Sequence, residues 1–143
     1  MTNIVQTTYG QVEGARRSGR LAFLGMRYAA APAGEWRFAA PRPPGPWQGV
    51  RPAIEWGTAA RQTGHPIPGF AASGPQGEDC LNLNVYTPAA DRALRPVLFW
   101  IHGGGFTHGP AAEPLYDGGP LVARGDVVVV SITAPADVLA ARI

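Results

Sequence analysis

The chain has 143 residues, enough for one domain, and 45% of them are hydrophobic against 15% charged, which excludes a disordered chain. All twelve basic residues are arginines, and they are scattered along the sequence rather than clustered. With a formal net charge of only +2, this pattern predicts no nucleic-acid-binding surface and no basic cluster for a membrane surface.

The N-terminal region is predicted to be an antiparallel meander. Three weakly alternating segments, residues 4–9, 11–15 and 21–28, are separated by glycine-containing turns. Residues 29–76 differ, because nine prolines exclude a long helix or a central strand. The same stretch carries five aromatic residues, which a disordered linker would usually lack. We therefore expect an irregular but packed excursion held in place by its aromatic rings.

Three further strands are predicted beyond the excursion. In residues 81–86 apolar and polar residues alternate, with Leu81, Leu83 and Val85 on one face, as is typical of a half-buried strand. Residues 97–101 and 127–130 are continuous apolar runs, as is typical of strands covered on both faces.

Helices to cover such strands are scarce in the sequence. Residues 115–124 allow at most a short helix, interrupted at residues 118–120, and only residues 137–143 offer another. Strands buried on both faces need helices on both sides of their sheet. We therefore expect the fold to require further polypeptide and the isolated chain to be poorly soluble.

A glycine-rich loop, His102-Gly103-Gly104-Gly105-Phe106, follows directly after the strand at residues 97–101. Consecutive glycines let backbone N–H groups approach a substrate closely, and such groups can stabilise a developing oxyanion. The motif in this context resembles the H-G-G-G oxyanion loop of lipases and esterases. A tight turn at the strand exit, without a chemical role, is the alternative. The spacing of the histidines fits no metal motif and no phosphate-binding loop is present, so no metal or cofactor is expected.

The segment Glu78-Asp79-Cys80-Leu81-Asn82-Leu83-Asn84-Val85 resembles the E-D-C-L-x-L-N-V signature of type-B carboxylesterases, relatives of the cholinesterases. Upstream, Gly25-Met26-Arg27-Tyr28-Ala29 is similar to the family's G-I-P-Y-A, Arg37-Phe38 followed by Pro41 to its R-F-x-x-P, and Trp47-Gln48-Gly49 to its W-x-G. The resemblance implies an α/β class: a partial α/β-hydrolase fold with an N-terminal antiparallel meander and the first strands of the central mixed sheet. Residues 1–132 would be the N-terminal part of a carboxylesterase domain, and residues 133–143 a divergent tail.

The resemblance also implies roles for the residues of the loop. Gly104 and Gly105 would donate the N–H groups of the oxyanion hole, and Phe106 would contact the substrate. His102 and Gly103 would hold the loop in shape.

Two further positions match structural residues of the family. Arg37 and Glu78 correspond to an ion pair that would tie the proline-rich excursion to the following strand, with two unrelated surface charges as the alternative. Cys80 corresponds to a cysteine that many relatives pair in a disulfide. Here it is the only cysteine, so we expect a small buried side chain in a reducing compartment.

The family's nucleophile lies in G-x-S-x-G, followed by an acid and a histidine. None of the three serines, Ser18, Ser73 and Ser131, has these flanking glycines. After residue 132 the family continues as N-Y-R-L-G, whereas this chain continues as T-A-P-A-D, which suggests a truncated or frameshifted product. We therefore expect a serine-mechanism carboxylic ester hydrolase by family, whose substrate is a small-molecule carboxylic ester, with these 143 residues inactive alone.

Two other functions remain open. The chain could be a non-catalytic fragment that acts through a complementing C-terminal chain, or a carbohydrate- or peptide-binding module that uses the aromatic residues between positions 36 and 70. With no secretory signal at its start and no apolar run near the roughly 20 residues of a membrane span, we expect a cytoplasmic protein without a membrane partner.

Overall fold

The computed structural model describes residues 3–17, 19–62, 74–105 and 107–134. The strands are β1 (Ile4–Gln6), β2 (Gln11–Glu13), β3 (Ala15–Arg17), β4 (Arg20–Arg27), β5 (Val50–Pro52), β6 (Asn82–Thr87), β7 (Val97–Ile101) and β8 (Val128–Ile132). The α-helix is α1 (Gly119–Arg124), and two 3₁₀ turns cover Gly34–Trp36 and Pro114–Tyr116. Among these residues, no helix has the length and hydropathy needed to cross a bilayer.

The expected N-terminal meander is divided between two sheets. Strands β1 and β2 pair antiparallel, and β2 also pairs with β5 in parallel, which makes a small three-stranded sheet. The chain leaves this sheet at Gly14, where a β-carbon would lie 2.6 Å from the carbonyl oxygen of Ala22 and 2.9 Å from the ring of Phe23. Because a glycine allows this close crossing, residues 15–17 form a separate strand that joins the larger sheet.

The larger sheet is mixed, as the family resemblance implies. Its order is β3-β4-β6-β8-β7, with antiparallel pairs up to β8 and a parallel pair between β8 and β7. On one face, α1 contributes Val122 to a core that also contains Ala22, Leu24, Tyr86 and Val129. On the other face, β2 and Ala53 from beyond β5 close a second core with Leu21 and Phe23.

The expectation that β6 is a half-buried strand with an apolar inner face is wrong. Asn82, Asn84 and Tyr86 are buried more deeply than Leu83 and Val85 on the opposite face. A buried amide is tolerated where it is hydrogen-bonded. The Asn82 side chain donates to the carbonyl of Thr58 at 2.8 Å, and Asn84 has three partners, described below.

Strand β7 is present at its predicted position, but the described residues do not cover it. It lies at the edge of the larger sheet, and each of its residues is at least 42% exposed. In β8, by contrast, Val129 and Ser131 are buried and their neighbours are half-buried. The sequence of β7 is therefore typical of a strand covered on both faces, but the described part of the chain does not provide that cover.

The predicted interruption at residues 118–120 is instead the start of α1. Gly119 is the first helical residue, and Pro120 follows in the first turn. There the missing N–H of proline costs no helical hydrogen bond. Residues 137–143, where the sequence allows another helix, lie outside the described residues.

Candidate functional site

The glycine loop leaves the C-terminal end of β7 and closes on itself within a few residues. The carbonyl oxygen of Gly104 accepts hydrogen bonds from the N–H groups of Thr107 at 3.1 Å and His108 at 3.2 Å. The Thr107 hydroxyl donates to the same oxygen at 3.1 Å. Three donors on one carbonyl fix the orientation of the peptide between Gly104 and Gly105.

The preceding carbonyl, that of Gly103, also turns toward the interior of the loop. It lies 2.8 Å from Nδ1 of His102. A carbonyl oxygen can only accept, so this ring nitrogen carries the proton in the bond. The oxygen also faces Gly109, where a β-carbon would lie 2.5 Å away.

These two carbonyl orientations set the direction of the neighbouring N–H groups. The described residues contain no cis peptide bond, and in a trans peptide the N–H points opposite to the carbonyl. The N–H groups of Gly104 and Gly105 therefore point away from the interior of the turn. Neither donates a hydrogen bond to any other part of the chain that the structure describes. Two adjacent free donors of this kind can bind an anionic oxygen.

The loop requires glycine most strongly at position 104. Gly104 has φ of +133° and Gly105 has φ of +59°, both in the region that favours glycine. A β-carbon at 104 would lie 1.6 Å from the carbonyl oxygen of His108, whereas one at 103 or 105 meets nothing within 4 Å.

The exit of the loop is held by three side chains from separate parts of the chain. The N–H of Gly109 donates to Oε1 of Gln62 at 3.0 Å. The N–H of Ala111 donates to the hydroxyl of Thr133 at 2.9 Å, and its carbonyl accepts from Nδ2 of Asn84 at 3.3 Å. Sequence reasoning missed these contacts, because nothing in the local pattern places residues 62, 84 and 133 beside the loop.

The structure places Arg37 and Glu78 in contact. Nη1 of Arg37 donates to Oε1 of Glu78 at 3.0 Å, through one nitrogen rather than two, and both side chains are partly exposed. The neighbouring pair of Arg27 and Asp79, which sequence reasoning missed, is bidentate, with an Nε to Oδ1 distance of 3.0 Å.

The remaining candidate residues are placed as follows. Phe106, Ser18 and Ser73 lie outside the described residues. Ser131 is fully buried in β8, where its hydroxyl accepts a hydrogen bond from the Asn84 amide at 3.2 Å, so it is not available as a nucleophile. Cys80 is buried, 2% exposed, as predicted.

A cavity of about 410 Å³ lies beside the proline-rich excursion. Trp36, Phe38 and Tyr28 contribute aromatic walls, and the Arg42 guanidinium lies 3.0 Å from the centre of the Trp36 ring. The Tyr28 hydroxyl donates to the carbonyl of Thr133 at 3.1 Å. Burial of this phenol, with a smaller contribution from Cys80, raises the pKa of Tyr28 to about 12, so it remains a donor at neutral pH.

Comparison with known proteins gives consistent results. The model of the carboxylesterase family matches residues 1–133. Para-nitrobenzyl esterase of Bacillus subtilis (strain 168) is 42% identical over 130 residues, which are 90% of this chain and 27% of that protein. Acetylcholinesterase of Gallus gallus is 43% identical over 142 residues, 90% of this chain and 18% of that protein. The crystal structure of Geobacillus stearothermophilus carboxylesterase EST55 at pH 6.2 matches with a TM-score of 0.83 and 45% identity, over 92% of this chain and 26% of that one.

The structural match confirms the expected fold class, a partial α/β-hydrolase fold. The chain spans about a quarter of the length of the two bacterial relatives.

Proposed function

This chain belongs to the carboxylesterase family, and we propose that it contributes the oxyanion-binding loop of an enzyme that hydrolyses carboxylic esters by a serine mechanism. The observation that carries this proposal is the pair of adjacent, outward-pointing N–H groups at Gly104 and Gly105. The carbonyl groups of the same two peptides, those of Gly103 and Gly104, are held inward by His102 and by Thr107 and His108.

The chemistry follows from that geometry. When a nucleophile adds to an ester carbonyl, the carbonyl oxygen becomes an anion, and N–H donors aimed at it stabilise the transition state more than the ground state. Donors fixed before the reaction need no reorganisation as the charge develops. In this proposal Gly104 and Gly105 supply two such donors, and a third comes from the residue after the nucleophile, as in α/β-hydrolases.

The other candidate residues have supporting roles in the proposal. The His102 side chain and Gly103 hold the loop in shape through the bond from Nδ1 to the Gly103 carbonyl. The pair of Arg37 and Glu78 ties the excursion to the start of β6. A substrate contact for Phe106 rests on the resemblance alone.

The nucleophile, acid and base come from polypeptide that these 143 residues do not contain. No G-x-S-x-G occurs in the sequence. The exposed, apolar side chains of β7 support the proposal that a complementing polypeptide covers this strand. The substrate class we propose is a carboxylic ester, the bond named in the family's own description. A cytoplasmic location belongs to the same proposal, because the single cysteine of these 143 residues can form no disulfide within them.

A graft tests the proposal. Residues 1–133 of this chain replace the matching part of Bacillus subtilis para-nitrobenzyl esterase, and hydrolysis of p-nitrophenyl acetate is measured. We expect turnover well above that of the same graft with its nucleophilic serine changed to alanine. A graft that folds cooperatively but is no faster than this control contradicts the proposal. The 143-residue chain alone should show no turnover, and a phosphonate reagent should label none of its serines.

The aromatic cavity favours a second candidate, a carbohydrate- or peptide-binding module. Trp36 in its wall makes tryptophan fluorescence a direct test. A saturable spectral change on titration with oligosaccharides or short peptides, lost in Trp36→Leu but kept in Trp56→Leu, would favour the module over the esterase.

A further inference from the structure

We propose that Gln62, Asn84 and Thr133 are positioning residues, which fix the outward orientation of the Gly104 and Gly105 N–H groups by anchoring the exit of the glycine loop. The inference rests on the proposed function, because it concerns how the oxyanion-binding donors of that function are held. Among the described residues, none of the three side chains hydrogen-bonds the loop glycines 103–105, so their effect must pass through residues 108–111.

The first anchor is a buried polar network at the end of the larger sheet. Ala111 is 1% exposed, and both of its backbone groups are bonded to side chains, its N–H to the Thr133 hydroxyl and its carbonyl to the Asn84 amide. Asn84 is itself held on two more sides, by the N–H of Gly25 at 3.0 Å and the hydroxyl of Ser131 at 3.2 Å. A network satisfied in this way has one arrangement, so it fixes residue 111 relative to β6 and β8.

The second anchor comes from the proline-rich excursion. Oε1 of Gln62 accepts from the N–H of Gly109 at 3.0 Å, while the N–H of Gln62 donates to Oε1 of Gln76 at 3.1 Å and its amide nitrogen to the carbonyl of Ala60 at 3.2 Å. Gln62 is therefore held both at its backbone N–H and at its side-chain amide group. It presents one acceptor to the loop exit.

The anchored exit packs directly against the peptides that carry the donors. The position of a β-carbon on Gly109 lies 2.5 Å from the Gly103 carbonyl oxygen, and the His108 carbonyl lies against the α-carbon of Gly104. A rotation of either peptide would have to move residues 108 and 109. In the described part of the chain, the loop is attached on its entry side to β7, which is exposed there at the sheet edge. The exit is thus the side that fixes the geometry.

The test is hydrogen–deuterium exchange by mass spectrometry on residues 1–143 and on the graft. Thr133→Val removes the hydroxyl at nearly constant volume. We expect exchange in a peptide spanning residues 102–109 to rise about tenfold, the effect of one lost hydrogen bond. Thr133→Ser, which restores the acceptor, should return exchange to the parental rate. The matched control is Thr87→Val at the other end of β6, where a buried hydroxyl bonds only the carbonyl of Ala89 among the described residues.

The inference is overturned if Thr133→Val and Thr87→Val raise exchange in the loop equally, or if neither does. Should Thr133→Val fail to fold, Gln62→Met decides, since it removes the second anchor from a partly exposed site. Unchanged loop exchange in Gln62→Met then overturns the inference. Failure of the proposed function would give a different result, a folded graft that does not hydrolyse the ester. The exchange rates could still be compared between variants in that case.

Discussion

The α-carbon of Gly104 faces the carbonyl oxygen of His108 so closely that a β-carbon on residue 104 would lie 1.6 Å from that oxygen. The contact arises because the Gly104 carbonyl accepts a hydrogen bond from the N–H of His108. This bond brings the chain back over the turn within four residues. The same bond turns the Gly105 N–H outward. Close packing and donor orientation therefore have one origin in this loop.

Gly104→Ala should abolish the loop geometry, because the methyl group meets backbone that cannot move aside. In the graft we expect kcat for p-nitrophenyl acetate to fall by about 10²–10³, the usual effect of losing an oxyanion donor. KM should change little, since the donors act mainly on the transition state. Gly103→Ala is the matched control, because its β-carbon meets nothing within 4 Å. Comparable kcat values for the two variants would contradict this explanation.

The ion pair of Arg37 and Glu78 should contribute little to stability. Their side chains are 52% and 33% exposed and share one contact of 3.0 Å. Partly exposed pairs of this kind are worth about 0–1 kcal/mol after solvent screening. A double-mutant cycle of Arg37→Met and Glu78→Gln, followed by urea denaturation, should give a coupling free energy in that range. A coupling above about 2 kcal/mol would indicate a buried network instead.

Local sequence patterns predicted the parts of this fold that local chemistry determines. The apolar run at residues 97–101 became a strand, and the glycines after it became a loop with positive φ at Gly104 and Gly105. Both follow from properties of neighbouring residues, such as β-propensity and the conformational freedom of glycine. The family motifs predicted the order in which these elements follow one another along the chain.

The parts that could not be predicted depend on contacts between distant residues. The alternation in β6 predicted an apolar inner face, but the partners of Asn82 and Asn84 come from residues 58, 25, 111 and 131. No periodicity encodes such partners. For the same reason Gln62 and Thr133 carried no visible sign of their contacts with the loop.

Acid should weaken the connection between β6 and β7. Arg95 bonds Asp91 through Nη2 at 2.9 Å and Asp126 through Nε at 2.6 Å. The hydrogen bond from Arg95 lowers the pKa of Asp91 from 3.8 to about 2. A carboxylate with a lowered folded-state pKa adds stability that is complete above its unfolded pKa and is lost as the pH falls through the folded one.

The expected result is a urea midpoint that falls between pH 5 and pH 2 by more in the parent than in Asp91→Asn. The difference should be modest, because the Asp91 side chain is well exposed. An equal fall in the two proteins would show that Asp91 does not contribute to the acid sensitivity.

Strand β7 exposes a hydrogen-bonding edge together with large apolar side chains. Val97, Phe99 and Ile101 are 63%, 55% and 60% exposed and alternate along the strand, so they share one face. Within the described part of the chain, β7 pairs only with β8, which leaves its other edge free. An edge of this kind is a template for pairing with another chain.

Phe99→Lys should therefore reduce self-association of the 143-residue chain, because a lysine on an edge strand opposes pairing with a second edge. Sedimentation velocity over a range of concentrations measures the effect, and we expect a shift toward the monomer. Leu94→Lys is the matched control: Leu94 is fully exposed but lies in the turn before β7, so the same gain of charge occurs away from the strand. If the two substitutions reduce association equally, net charge rather than the free edge governs it. If neither does, association arises elsewhere on the molecule.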